Sequence, residues 1–139
     1  MKIVLDTNVL LVSISDASPY YWIWKALEKG EFTLCVTTDI LNEYAEVIER
    51  HMGHETMELT LHALSKHRFV EFVTKYFHWN LIHQDQDDNK FVDCAIACNA
   101  DYLVTEDRHF NVLKEVSFPK IAVIGIEAFQ TLFPVNSAE

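Results

Sequence analysis

The sequence predicts an α/β fold: a parallel sheet of four to five strands sandwiched by helices. Three observations lead there. Short runs dominated by apolar residues read as strands buried on both faces, the kind found in parallel sheets. Segments with apolar residues at helical spacing lie between them. The two kinds alternate along the chain, as they do when parallel strands are joined by helical crossovers.

The elements follow in order. "KIVL" (2–5) is the first strand. Asp6, Thr7 and Asn8 interrupt it before the apolar run resumes, and "SISDASP" (13–19) is loop. "YYWIWKALEKG" (20–30) is a helix that stops at Gly30, a residue free to take the left-handed conformation of a helix end. "FTLCV" (32–36) is the second strand. Thr38 is the expected cap of the next helix, with Asp39 favoured by the helix dipole in its first turn. "DILNEYAEVIERHM" (39–52) then sets Ile40, Leu41, Tyr44, Val47 and Ile48 on one stripe. "ETMELTLHALSKH" (55–67) is a further helix, and "RFVEFVTKYFHWNLIH" (68–83) fits strand or helix equally. "QDQDDNK" (84–90) is an acidic loop, "KFVDCAIACNA" (90–100) a helix and "DYLVT" (101–105) a strand. "EDRHFNVLKEVSFP" (106–119) is loop with a short helix, "KIAVIGI" (120–126) the last strand and "EAFQTLF" (127–133) the last helix.

Composition narrows the function classes. A length of 139 residues fits one domain, 1–139, able to bury a core. Half the residues are hydrophobic, which excludes a disordered chain. No apolar run approaches the ~20 residues of a membrane helix, and an acid at position six argues against a signal peptide. The expected location is therefore cytoplasmic, with no membrane partner. Cys35, Cys94 and Cys98 read as reduced packing residues. A net charge of −10 works against tight nucleic-acid binding, unless the acids surround a cation that inverts the local field.

In a parallel sheet, ligands bind beyond the carboxyl ends of the strands. Asp6 ends the first strand, and Asp107 follows the strand "DYLVT". Glu43 lies early in the helix after the second strand, and Asp93 in the helix leading into "DYLVT". Each acid alone has an ordinary explanation as a turn, cap or surface residue; their joint placement on one rim carries the weight. Two like charges 4 Å apart cost about 4 kcal/mol at an effective dielectric near 20, so such a group needs protons or a cation. Ligation by oxygen alone suits Mg²⁺ or Mn²⁺ better than zinc. The Asn8 amide and the Thr105 hydroxyl are placed to hydrogen-bond the carboxylates or their water.

The motifs "KIVLDTNVLL", "DILNEYAEVIER", "DNKFVDCAIACNADYLVTEDRHF" and "IAVIGIEAFQTLF" together resemble the PIN domain, and most closely the toxins of bacterial toxin–antitoxin systems related to VapC. The resemblance implies a PIN-like three-layer fold and a divalent-metal-dependent endoribonuclease using Mg²⁺ or Mn²⁺. It also implies a cognate antitoxin protein as partner, an RNA substrate and a homodimer. Carried over residue by residue, the four acids are Asp6, Glu43, Asp93 and Asp107, both catalytic and metal-binding. Asn8 and Thr105 match supporting positions, and Asp88 matches an acid in the loop before the third-acid helix. Two positions depart from the pattern: Cys98-Asn99 replaces a glycine-rich turn, and Glu106 adds a charge beside the last acid. The residues leave open one metal or two, and whether Glu43 binds the second or orients water. The alternative is a non-catalytic PIN module that binds RNA or a protein. An aspartyl phosphatase would need an acid where Asn8 stands, and a receiver would need a lysine at a late strand end. His51, His54 and Glu55 read as a solvated helix end, and "YYWIWKAL" as a core or dimer face.

Overall fold

Five parallel strands pair in the order β3-β2-β1-β4-β5 in a computed structural model that describes residues 1–75, 77–83 and 85–134. The strands are β1 (Lys2–Leu5), β2 (Thr33–Val36), β3 (Val70–Phe72), β4 (Tyr102–Val104) and β5 (Val123–Ile124). The helices are α1 (Thr7–Ser13), α2 (Tyr21–Glu28), α3 (Thr38–Met52), α4 (His54–Lys66), α5 (Asn89–Cys98) and α6 (Ile126–Gln130). Two 3₁₀ segments, Gln86–Asp88 and Arg108–Glu115, flank α5 and β4. Among the described residues, no helix is long and apolar enough to cross a membrane.

The central strands explain the apolar runs. Ile3, Val4, Leu5, Leu34, Cys35, Val36, Leu103 and Val104 are all buried, as strands covered on both faces require. At about 25 cal/mol per Å² of apolar area, this two-sided burial is the main stabilising contribution. Helix α5 packs over β1, β2 and β4, with Phe91, Val92, Cys94 and Ala95 buried. The three cysteines are free and buried. Trp22 of α2 meets Phe129 and Phe133 at ring separations of 5.6 and 5.8 Å, and Trp22 and Trp24 pack against the core while Tyr20 is exposed.

Several local expectations are corrected. Thr37, not Thr38, caps α3: its hydroxyl accepts the Ile40 N–H at 3.3 Å from an extended backbone. The segment after Asp6, given no element from sequence, is helix α1, because the Asp6 carboxylate caps it and Thr7, Val9 and Leu10 turn inward. Among its described residues, the ambiguous stretch 68–83 contributes only the three residues of β3 before the chain leaves the sheet. The apolar run 120–126 pairs only over Val123–Ile124. Tyr76 of that ambiguous stretch, Gln84 of the acidic loop and residues 135–139 of the expected domain lie outside the described residues. Gly30 ends α2 at φ +74°, with a Phe69 ring carbon 2.4 Å from where a Cβ would sit. Asn99, in place of a glycine, takes the same left-handed conformation after α5 (φ 54°), which asparagine tolerates.

Candidate active site

The carboxyl rim of β1 and β4 gathers side chains from four parts of the chain. Asp6 leaves the end of β1 and is buried. Its Oδ1 accepts the Thr7 N–H at 2.8 Å, and its Oδ2 accepts the Thr105 hydroxyl at 2.7 Å. Thr105 stands just past β4, and its Oγ1 also accepts the Asp107 N–H at 3.0 Å. One hydroxyl thus ties the Asp6 carboxylate to the backbone of Asp107 across two strand ends. Tyr44, wholly buried in α3, donates its hydroxyl to Leu5 O at 2.5 Å and fixes the approach of β1 to the rim.

Asp88 enters from the other side, as the last residue before α5. Asn89 sets that helix start: its side chain exchanges two hydrogen bonds with the Ile82 backbone, at 2.9 and 2.8 Å. Asp88 Oδ2 lies 3.5 Å from His109 Nδ1, which lies 3.5 Å from Asp107 Oδ1. Asp85 completes a group with Asp88 and His109 whose ligand atoms fall within 4.8 Å of one another. Glu43 of α3 accepts the Thr7 hydroxyl on Oε2 and Lys90 Nζ at 2.7 Å on Oε1.

The electrostatics follow from this crowding. Burial pushes the Asp88 carboxyl up to about 7, reinforced by the charges of Asp85, Asp107 and Asp6 and opposed by His109. Burial also raises Asp6 above the usual carboxylate range; the Thr105 and Thr7 hydrogen bonds oppose it, and Asp107 and Glu43 add to it. Carboxylates held this close resist ionising together.

Among the sequence-predicted residues, Asp6, Glu43, Asp107, Thr105 and Asp88 come together. Asp93 does not join them. It is buried, its Oδ1 accepts the Trp79 N–H at 3.1 Å, and its nearby charges are His78, at 3.8 Å, and Lys75. The reason is helical geometry. Five residues along a helix turn a side chain by about 140°, so Asp88 and Asp93 face different neighbours. Asn8 is exposed on α1, and Thr7 makes the polar contact that Asn8 was expected to make. Glu106 turns away from the acids: its Oε1 accepts the Ile126 N–H at 2.7 Å. His54 pairs with Glu58 and Glu49 in solvent at 2.9 and 3.4 Å.

Sequence reasoning missed Lys90, Asp85 and His109. Lys90 and Asp85 sit in the acidic loop and the helix start beside Asp88, where charge density was visible and direction was not. His109 lies two residues after Asp107, a spacing that brings it back toward the same acid only because a 3₁₀ turn follows. A groove of about 360 Å³ beside Asp107 is lined in part by Thr105, Arg108, Asn111 and Lys114, so cations adjoin the acids on an acidic protein.

The donor set suits a hard divalent cation. It offers several carboxylate oxygens in one place, and one of them, Asp88 Oδ2, is buried without a hydrogen-bond partner.

Comparison with known proteins adds the following. A family model described as PIN domain matches residues 2–109. No curated protein sequence matches the chain. Among solved structures, VapBC2 from Rickettsia felis, bound to a DNA fragment from its promoter, is similar with a TM-score of 0.62 at 19% identity, over 90% of this chain and 98% of that one. DNA-bound VapBC from Salmonella typhimurium gives 0.59 at 15% identity, over 91% and 98%. The sarcin-ricin loop cleaving toxin VapC20 from Mycobacterium tuberculosis gives 0.51 at 13% identity, over 73% and 86%. At these identities the likeness is one of fold.

Proposed function

The chain belongs to the PIN-domain family, and from that premise we propose that it is a divalent-metal-dependent endoribonuclease acting as the toxin of a toxin–antitoxin pair. The observation that carries the reading is the convergence of Asp6, Asp88 and Asp107, from three separate elements, on one rim, where Thr105 joins Asp6 to the Asp107 backbone and His109 stands 3.5 Å from both Asp88 and Asp107. We assign the third acid to Asp88 in place of Asp93. The residues that would hold the cation are Asp6, Asp88 and Asp107, with Glu43 adjoining.

Bound there, a cation of the Mg²⁺ or Mn²⁺ class supplies positive charge that makes water a better nucleophile and stabilises the attacked phosphate. The protein's own groups prepare the place. Thr105 orients Asp6 and Asp107. Lys90 holds Glu43 on α5, and Thr7 holds it on α1. Arg108 and Lys114 line the adjoining groove together with Glu106 and Asp107, which places two cations beside the acids.

Two of the similar structures are VapBC complexes, and the third, VapC20, is a sarcin-ricin loop cleaving toxin. These support an antitoxin as partner and RNA as substrate. We further propose that residues 1–139 work as one domain, as a cytoplasmic homodimer.

The test is cleavage of a structured RNA panel by wild type, Asp88→Asn and Asp93→Asn, each with Mg²⁺, Mn²⁺ or EDTA. We expect metal-dependent cleavage by wild type and Asp93→Asn, and its loss in Asp88→Asn. Equal cleavage by all three proteins would refute the site. A wild type that binds the RNA without cutting it, in either metal, would favour the non-catalytic binding module.

A further inference from the structure

His109 brings a nitrogen donor to an otherwise all-oxygen group. Its Nδ1 stands 3.5 Å from both Asp88 Oδ2 and Asp107 Oδ1. His109 Nδ1 and Asp88 Oδ2 are both buried, and neither has a hydrogen-bond partner. Asp88 as a whole is only 9% exposed. An unsatisfied buried polar atom is costly, and an Nδ1 lone pair would face the carboxylate. A positive centre between the two relieves both atoms at once. Two ligands of one ion, at bonds near 2.1 Å, stand about 3.0–3.4 Å apart, close to the separation seen.

The backbone holds the imidazole in this position. The His109 N–H donates to Asp107 Oδ1 at 2.9 Å, and the next residue, Phe110, is wholly buried. The outer part of the ring borders an open groove of about 420 Å³ with His83, Arg108 and Asn111.

We propose that His109 Nδ1 is a direct ligand of the site cation, alongside Asp88 and its neighbouring carboxylates, making a mixed nitrogen–oxygen centre that selects Mn²⁺ over Mg²⁺. The inference rests on the reading of this acid group as a metal centre. Its chemistry is ordinary: imidazole favours first-row transition cations, whereas Mg²⁺ demands oxygen and keeps its water. A centre built of carboxylates alone would discriminate less.

The test uses the full chain. Calorimetric titration with Mn²⁺ and with Mg²⁺ gives the two affinities, and pulsed electron paramagnetic resonance of bound Mn²⁺ reads directly coordinated nitrogen. Wild type should show nitrogen modulation and bind Mn²⁺ at least about tenfold more tightly than Mg²⁺. His109→Ala should lose the modulation and weaken Mn²⁺ about 10- to 100-fold, leaving Mg²⁺ within about threefold. His109→Asn, which keeps a polar group at this half-exposed position, should lose the modulation as well. Wild type that binds Mn²⁺ without nitrogen modulation would overturn the proposal and leave the metal centre standing. An equal loss of both cations in His109→Ala would overturn it too. Wild type that binds neither cation would instead refute the metal centre, and this inference with it.

Discussion

Replacing Asp88 by Asn removes a charge and leaves the shape of the side chain almost unchanged. In wild type the carboxyl is pushed up to about 7 from its usual 3.8, first by burial and then by Asp85, Asp107 and Asp6. At 1.36 kcal/mol per pH unit, that interval corresponds to about 4 kcal/mol against the ionised form. The side chain is 13% exposed and its neighbours can relax, so we expect Asn to recover about 1–2 kcal/mol, or roughly 3–8 °C in Tm at this chain length. Below pH 4 both folded and unfolded carboxyls are protonated, and Asp88 contributes nothing. Between about 4 and 7 the unfolded form ionises first, and wild type loses stability relative to Asp88→Asn. Above 7 the full difference is reached. The assay is thermal unfolding of both proteins in EDTA from pH 4 to 8, repeated with Mn²⁺. At a hundredfold excess over Kd a ligand adds about 2.7 kcal/mol, a gain wild type should show and Asp88→Asn should lose. A metal-free Asp88→Asn less stable than wild type at pH 8 would refute the reasoning, because the carboxylate would then be a structural partner.

Three further outcomes follow from the geometry. Asp93→Asn should keep the Trp79 contact and bind metal within about twofold of wild type by calorimetry, whereas Asp93→Ala should destabilise by about 1–2 kcal/mol in urea unfolding. Thr105→Val removes the hydroxyl that Asp6 accepts, which should raise the Asp6 pKa, cost about 1 kcal/mol and weaken metal binding below pH 6 more than at pH 8, read by titration at both values. Lys90→Gln should cost about 1 kcal/mol in EDTA by leaving Glu43 without its cation, and saturating Mn²⁺ should erase that cost; a loss of equal size in both conditions would place Glu43 outside the metal's reach.

The sequence by itself determined the alternation of elements and the rim to which the acids belong. Strand ends such as Val4-Leu5-Asp6 announce themselves, because apolar runs fix burial and the following acid must leave it. The family block 87–110 is local, so its motif could be read without coordinates. Direction was not legible in the same way. Asp88 and Asp93 share one short stretch, and only the rotation of α5, pinned by Asn89 on Ile82, decides which of them meets Asp6 and Asp107. Likewise Glu106 and Asp107 are neighbours in the chain, yet the end of β4 sends one to cap α6 and the other to the site. Composition and periodicity record what is buried. They do not record which buried groups point at one another, because that is set by how distant helices pack on a shared sheet.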